Sequence, residues 1–326
     1  MPMAKRGVYL GVDVGSVSTN LVLLDHETDD ILAKLYLRTN GAPIHALAQG
    51  MRQLREAGEW DVFGVGATGS GRQLAAAIIG ADVVKNEITA HAVAALKHNP
   101  QAATVIEIGG QDSKIILIRN GVVSDFAMNT ICAAGTGSFL DQQAARLGIS
   151  VQDFGDIALQ SRNPVRIAGR CTVFAESDMI HKQQLGHSVA DILAGLCQAM
   201  VRNYLSGVAK GKRIEPPVLF QGGVAANSGI RYALEAALGL EVEVPPYFDA
   251  MGAVGAAVLA KESRFSSAGS GTRFAGFVVG ESLLSSTSWE CSGCPNHCEI
   301  VQINRDGRPL ACWGSRCANP MPRTAE

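Results

Sequence analysis

The chain has 326 residues, 47% of them hydrophobic and 18% charged, with a formal net charge of -2. That length suits two compact lobes and a small appendage around a sizeable core, and the near-zero charge gives no electrostatic case for nucleic acid or an anionic membrane. No apolar run is long enough for a signal peptide or a membrane-spanning helix, so the sequence reads as cytoplasmic.

Residues 7–14, Gly-Val-Tyr-Leu-Gly-Val-Asp-Val, predict a buried strand. Gly15-Ser-Val-Ser predicts a tight turn, Thr19 to Leu24 a returning strand, and Ile31 to Leu37 a third strand after the turn Asp25 to Asp30. A helix is expected over Ile44 to Ala57. A short strand near Val62 to Gly66 and a loop, Ala67-Thr-Gly-Ser-Gly-Arg, come next. The pattern then repeats. Val105 to Leu117 aligns without gaps on Gly11 to Leu23, which places Glu107 opposite Asp13 and Gly109 opposite Gly15. Arg119-Asn-Gly is a hairpin turn signal. A strand, acidic turn and strand that occur twice imply two similar lobes, with a phosphate chain held between two glycine-rich turns.

Cys132 precedes a small-residue loop, Ala133 to Gly137, that opens onto a helix. Thr136 and Ser138 are expected to cap its free N–H groups; Phe139, Leu140, Ala144 and Leu147 share a face, and Gly148 stops it. Cys171 stands in a similar setting, ahead of a short helix that ends near Gly186. A helix N-terminus offers unpaired donors and a partial positive charge. Two cysteines so placed are either two buried thiols or two ligands. Val189 to Val208 predicts a long amphipathic helix with Cys197 on its apolar face, as core. Pro217 to Asn227 is a buried strand running into a Gly-Gly turn, a helix opens at Ser228, and Phe248 to Ala260 is a helix of small residues.

From Lys261 the character changes, and residues 262–290, rich in Ser and Gly, read as a linker. Five of the 8 cysteines then fall in the tail: Cys291, Cys294, Cys298, Cys312 and Cys317. Between them lies a hairpin candidate, Ile300 to Ile303 with Arg308 to Ala311. The spacing is that of a metal knuckle. So short a segment is expected to need a metal for its folding energy. Zn²⁺ and an iron–sulfur cluster both stay open, and His297 ranks below the cysteines as a ligand.

Three turns are candidate phosphate loops: Asp13 to Thr19, Gly109 to Asp112, and Gly222 to Asn227. Turn N–H groups and the hydroxyls of Ser16, Ser18 and Thr19 suit oxyanions, and Asp13 suits Mg²⁺ through water. Each turn alone could equally be an ordinary hairpin. Together, in this order, they resemble those of the acetate-kinase, sugar-kinase, actin and heat-shock-chaperone superfamily. The segments Cys132-Ala-Ala-Gly-Thr-Gly and Cys171-Thr-Val-Phe-Ala-Glu-Ser closely resemble the ATP-dependent activators of 2-hydroxyacyl-CoA dehydratases, relatives of the benzoyl-CoA reductase ATPase subunits. The resemblance covers about residues 7–262.

It implies an α/β fold of the two-lobed, actin-like ATPase type with ribonuclease-H-like lobes. The lobes would span 7–99 and 100–262, followed by a linker at 263–290 and a cysteine-rich tail at 291–317. The last helix, Asp249 to Ala260, would pack back on the first lobe, as it does in relatives. ATP or ADP would be held by Gly15, Ser16, Val17, Ser18 and Thr19, by Gly109 and Gly110, by Gly135, Thr136 and Gly137, and by Gly222, Gly223, Val224 and Asn227. Asp13 and Asp112 would hold Mg²⁺ through water, and Gln111 would orient water at the γ-phosphate. Cys132 and Cys171 from each of two protomers would complete one [4Fe–4S] cluster on the two-fold axis of a homodimer. A flavodoxin or ferredoxin would reduce it. ATP would drive the electron on to an iron–sulfur acyl-CoA dehydratase or reductase. Asn20 stands where some members carry Lys. Two other classes are weighed beside this one: a small-molecule kinase of the same superfamily, and a metal-binding regulatory ATPase with a structural zinc tail.

Overall fold

The computed structural model describes residues 5–129, 133–168, 171–266 and 271–317. Its contacts divide the chain into two units, Met1–Ala90 with Gly252–Glu326, and His91–Met251. The first begins with β1 (Arg6–Val14), β2 (Ser18–Asp25), β3 (Ile31–Arg38), α1 (Pro43–Ala57), β4 (Trp60–Thr68), α2 (Arg72–Ile79) and β5 (Val83–Val84). The sheet order is β3-β2-β1-β4-β5, antiparallel over the first three strands and parallel at β4 and β5. The middles of β1 and β2 are apolar because both faces are covered. Leu10 and Val12 pack with Leu47, Met51 and Ile78 of α1 and α2, while Tyr9 and Leu24 meet Ala257 and Ala260.

The chain leaves this unit within α3 (Glu87–His98). The second unit contains β6 (Thr104–Ile108), β7 (Ser113–Arg119), β8 (Val122–Asn129), α4 (Gly137–Leu147), α5 (Phe154–Ala158), α6 (Thr172–Gln184), α7 (Val189–Gly207), β9 (Val218–Gln221), α8 (Ser228–Leu238) and β10 (Val242–Glu243). Its sheet runs β10-β9-β6-β7-β8, which is the first sheet's order strand for strand. The internal duplication therefore extends from sequence to topology. α7 buries Ile192, Leu193, Leu196, Cys197, Met200 and Tyr204 in the core, as its period predicts.

α9 (Met251–Ser266) rejoins the first unit, followed by β11 (Leu284–Glu290), β12 (Glu299–Arg305) and β13 (Arg308–Trp313). Its small residues let it lie against the backbone of the sheet. A Cβ at Gly11 would lie 1.9 Å from the Ala253 carbonyl oxygen, and one at Gly66 2.0 Å from that of Ala256. Among the described residues no helix is long and apolar enough to cross a membrane.

The sequence boundaries at 99 and 262 differ from those of the structure, where the second unit starts at His91 and the first takes back the chain from Gly252. The described residues of the linker expected at 263–290 include regular structure. They hold the end of α9, a 3₁₀ turn at Phe277–Glu281 and β11. Leu284-Ser-Ser-Thr-Ser-Trp-Glu pairs with β12 residue for residue, but its hydroxyl-bearing side chains carry no hydrophobic period. The tail also shares the core of the first unit. Ile303 and Val279 are fully buried with Leu47 and Ile78, and Trp313 packs on the same cluster. The idea that only a metal could fold this segment is therefore corrected: apolar burial against α1 and α2 orders it.

Two measurements check this frame. Ile303→Ala should cost about 2–5 kcal/mol of stability in urea unfolding, and an unchanged midpoint would show that the tail does not share the core. The Asp25 carboxylate accepts the N–H groups of Thr28 at 3.0 Å and Glu27 at 2.9 Å, and Arg6 donates to it at 2.8 Å. These bonds, the Thr28 one first, lower its pKa to about 2. A depressed carboxylate contributes stability above its unfolded pKa of about 4, which is lost as pH falls towards the folded value. Asp25→Asn should therefore flatten the loss of stability between about pH 4 and pH 2.

Candidate functional site: three turns and a tethered helix

The first turn is rigidly framed. Gly15 N–H donates to the Ser18 carbonyl at 2.8 Å, the Thr39 hydroxyl donates to the Gly15 carbonyl at 3.0 Å, and Thr39 N–H donates to Val17 at 2.8 Å. Thr19 is wholly buried with its hydroxyl 3.0 Å from that of Thr39, so it serves the frame. Ser16 is exposed, and Val17 and Ser18 are half-buried. Asp13, one residue before the end of β1, stands opposite Thr68 of β4. The loop after β4 closes over it: Gly69 has φ +95°, and a Cβ there would lie 2.5 Å from Asp13 Oδ1. From sequence this loop reads as a plain connection. Its Thr-Gly-Ser-Gly between a strand and a helix is the signal that could have marked it. Asn20 Oδ1 and Thr68 Oγ1 are buried here without a hydrogen-bond partner, which suits a site that a polar ligand completes.

The second turn is built alike. Gly109 N–H donates to the Asp112 carbonyl at 3.0 Å, matching Gly15 and Ser18. Beneath it, Glu107 is buried and accepts from Lys114 Nζ at 2.8 Å, and Lys114 also donates to Asp112 at 2.9 Å. Gln111 is exposed at the tip.

The third turn lies against the second within the same unit. Gly222 has φ +88°, and a Cβ there would lie 2.3 Å from the Ile108 carbonyl oxygen and 2.7 Å from Glu107 Oε1. Gly223 and Val224 form a 3₁₀ turn, and Asn227 caps α8 by accepting Ile230 N–H at 3.0 Å. Ser113 Oγ, Gln221 Nε2 and Asn227 Nδ2 are buried without partners. Glycines where no side chain fits, flanked by orphaned polar atoms, match the needs of a bound phosphate chain.

Cys132 lies outside the described residues. The helix that follows it does not. Gly135 ends a 3₁₀ turn, and Thr136 precedes α4. Neither expected cap forms. The Thr136 hydroxyl donates to Ala133 at 2.8 Å, and the Ser138 hydroxyl donates to the Gly110 carbonyl at 2.6 Å. Gly137 N–H instead donates to Gly109 and Ser138 N–H to Gly110, both at 2.8 Å. The second turn's own carbonyls thus satisfy the start of α4, a tertiary solution that local capping rules do not foresee.

Cys171 immediately precedes α6 and is half-buried; its carbonyl accepts Ala175 N–H at 2.9 Å, and its side chain caps nothing. Val173 and Phe174 beside it are each 66% exposed. Cys197 is core, and burial pushes its thiol up to about 12. In the tail, Cys291 N–H donates to the Cys298 carbonyl at 2.8 Å, while Cys312 stands opposite Gln302 on β13, further along the sheet. Partial burial pushes the Cys312 thiol above its ordinary value. All five tail cysteines are free thiols, and His297 pairs with Glu290 at 2.6 Å. Among the described residues no three His, Cys, Asp or Glu side chains are gathered as metal ligands.

Residues 10–260 match the model of the BadF/BadG/BcrA/BcrD ATPase family. The chain belongs to that family. It is 37% identical over 253 residues to the (R)-2-hydroxyglutaryl-CoA dehydratase activating ATPase of Acidaminococcus fermentans, a match covering 77% of this chain and 96% of that one. It is 35% identical over 257 residues to the activator of lactoyl-CoA dehydratase of Anaerotignum propionicum, covering 78% and 97%. Among solved structures, the activator of the 2-hydroxyisocaproyl-CoA dehydratase from Clostridium difficile with bound ADPNP aligns with a TM-score of 0.71 at 33% identity, covering 79% of this chain and 96% of that one. The fold is thus the α/β, actin-like ATPase type, and the kinship read from the two cysteine segments extends over the whole ATPase portion.

In this ATPase Gly222→Ala places a methyl group against a carbonyl and the Glu107 carboxylate at once. It should weaken ATP binding by at least about tenfold in calorimetry, equivalent to about 1.4 kcal/mol. Wild-type affinity would remove the third turn from the site.

Proposed function

We propose that this chain is an ATPase that activates an iron–sulfur acyl-CoA dehydratase, or a reductase of related type, by passing it one electron at low potential. The observation that carries the reading is the tie between α4 and the second turn. The three hydrogen bonds from Gly137 and Ser138 to Gly109 and Gly110 join the candidate phosphate loop to the segment that bears Cys132.

Each turn then has a task. Backbone N–H groups around Gly15, Gly109 and Gly222 would hold the phosphates of ATP or ADP, Asp13 and Asp112 would hold Mg²⁺ through water, and exposed Gln111 would orient the attacking water. Mg²⁺ would supply charge neutralisation on the phosphates, and a [4Fe–4S] cluster the single-electron chemistry. Cys132 and Cys171 of two protomers would provide its four thiolates. The donor set fits at Cys171, a free, half-buried thiol at the start of the 13-residue α6. That helix end favours an anionic ligand. The exposed Val173 and Phe174 give the same end an apolar surface suited to a second copy of the chain. Flavodoxin or ferredoxin is the proposed donor, the setting is cytoplasmic, and neither nucleic acid nor membrane takes part.

Asp13→Ala should abolish Mg²⁺-dependent ATP hydrolysis. Cys171→Ala, prepared without oxygen, should lose the cluster's iron, about four per two chains, while ATP affinity stays the same. A wild-type protein that is colourless and iron-free under those conditions would overturn the electron-transfer reading and leave the ATPase reading standing.

The tail is proposed to bind either Zn²⁺ or a second iron–sulfur cluster. Cutting the chain after Lys261 would sever α9 before its end at Ser266 and take buried Val279 and Ile303 out of the core, so point variants are the cleaner test. Cys291→Ser with Cys298→Ser leaves the buried apolar side chains of the tail in place. Loss of zinc alone rejects the second cluster, loss of iron beyond the shared cluster rejects the zinc knuckle, and no change in either rejects a metal in the tail.

A further inference from the structure

We infer that Lys114 is a positioning residue for ATP hydrolysis, fixing the Asp112 carboxylate beside the second phosphate turn. The inference rests on the ATPase reading of that turn. Lys114 Nζ lies 2.8 Å from Glu107 Oε2 and 2.9 Å from Asp112 Oδ2, and the three side chains are 3%, 6% and 30% exposed respectively. The bridge therefore runs from a buried anchor to an accessible carboxylate. Glu107 needs a cation at this depth, since an unpaired buried charge is strongly destabilising. Asp112 has no such need, because water could solvate it. It nevertheless turns back onto the ammonium, and its other oxygen lies where a Cβ at Gly109 would come within 2.9 Å. Lys114 thus sets the direction of the carboxylate that overhangs the turn.

The duplication supports a role in the turn itself. Lys114 occupies the place of Asn20 in the first repeat, and Asp112 that of Ser18. Asn20 Nδ2 donates to Ser18 Oγ at 3.4 Å, just as Lys114 donates to Asp112. In both units the second strand reaches back to hold the last residue of the turn. Only the second unit does so with a full charge.

Lys114 is itself braced. Tyr204 of α7 donates its hydroxyl to the Lys114 carbonyl at 2.9 Å. Burial, and then the charge of Glu107, hold that phenol well above its ordinary pKa, so it stays a donor. On the other side, β9 places Gln221 beside Glu107 in register, and His91 Nδ1 meets Gln221 Oε1 at 2.8 Å. The titratable groups around the bridge are therefore Glu107, Asp112, Tyr204 and, through Gln221, His91.

A group that orients a carboxylate at the phosphate turn acts on turnover more than on affinity. The test is Mg²⁺-dependent phosphate release by the full-length protein over a range of ATP concentrations. Lys114→Met should lower kcat about 10- to 100-fold, the usual effect of losing a group that orients a ligand, with KM changed less than about threefold. Lys114→Met leaves Glu107 buried and unpaired, so the Lys114→Met, Glu107→Gln double variant removes that penalty. It should fold with near wild-type stability and keep the low kcat. Recovery of kcat in the double variant would overturn the inference, because Lys114 would then only neutralise Glu107. Unchanged kcat in the single variant, or a double variant that does not fold, would overturn it too. A wild-type protein that hydrolyses no ATP would sink the ATPase reading instead, so the two failures are distinct.

Discussion

The buried Glu107 carboxylate constrains the second unit more than any other group. It sits under two turns at once, and its oxygen leaves no room for a Cβ at Gly222 and little at Gly109. Moving that charge into the interior is unfavourable unless it is paired and hydrogen-bonded. Lys114 supplies the pairing, and the Lys114 backbone is fixed in turn by Tyr204. The glycines, the lysine and the tyrosine are thus consequences of one placed charge. In the first unit the acidic residue is Asp13, and its loop partner is Gly69 rather than a Gly-Gly turn. The repeats share a topology but have diverged in how they surround their acids.

The same turn has a second attachment. A helix start normally leaves its first N–H groups for a side-chain cap or water. At α4 they are taken by the carbonyls of Gly109 and Gly110, with the Ser138 hydroxyl added. Net contributions of about 1 kcal/mol each make three such bonds costly to lose together. A displacement of the turn therefore carries the start of α4 with it, or breaks those bonds. This gives phosphate occupancy a direct mechanical route to the residues just before α4, entirely within one unit.

Much of the frame is legible because it is written in hydrophobic period and in a gapless repeat. The alignment of Val105 to Leu117 on Gly11 to Leu23 foretells two sheets of one strand order, and the structure shows them. What cannot be read is tertiary. Thr136 and Ser138 look like caps from their neighbours alone, yet the acceptor that claims Ser138 lies 28 residues earlier. Lys114 stands beside a run of apolar residues in β7, and nothing in its neighbours announces the buried carboxylate opposite it. β11 escapes because serine and threonine on an edge strand give no apolar alternation, only partners. The Gly69 loop has no periodicity at all, and its closeness to Asp13 is a matter of strand register.

The C-terminal quarter shows how packing changes a functional reading. Taken as a tether, a cysteine-rich tail reports only on its metal. Buried through Ile303 and Val279 among the side chains of α1 and α2, it becomes part of the unit that carries the first phosphate turn. Its fold then does not wait for an ion, and any ion would bind to strands already held in place. Pre-ordering of this kind lowers the conformational cost of binding. It also fixes the backbone around the cysteines: Cys291 N–H donates to the Cys298 carbonyl at the base of one loop, whereas Cys312 stands opposite Gln302, further along the sheet. The strands, rather than an ion, therefore decide how far Cys312 stands from that loop.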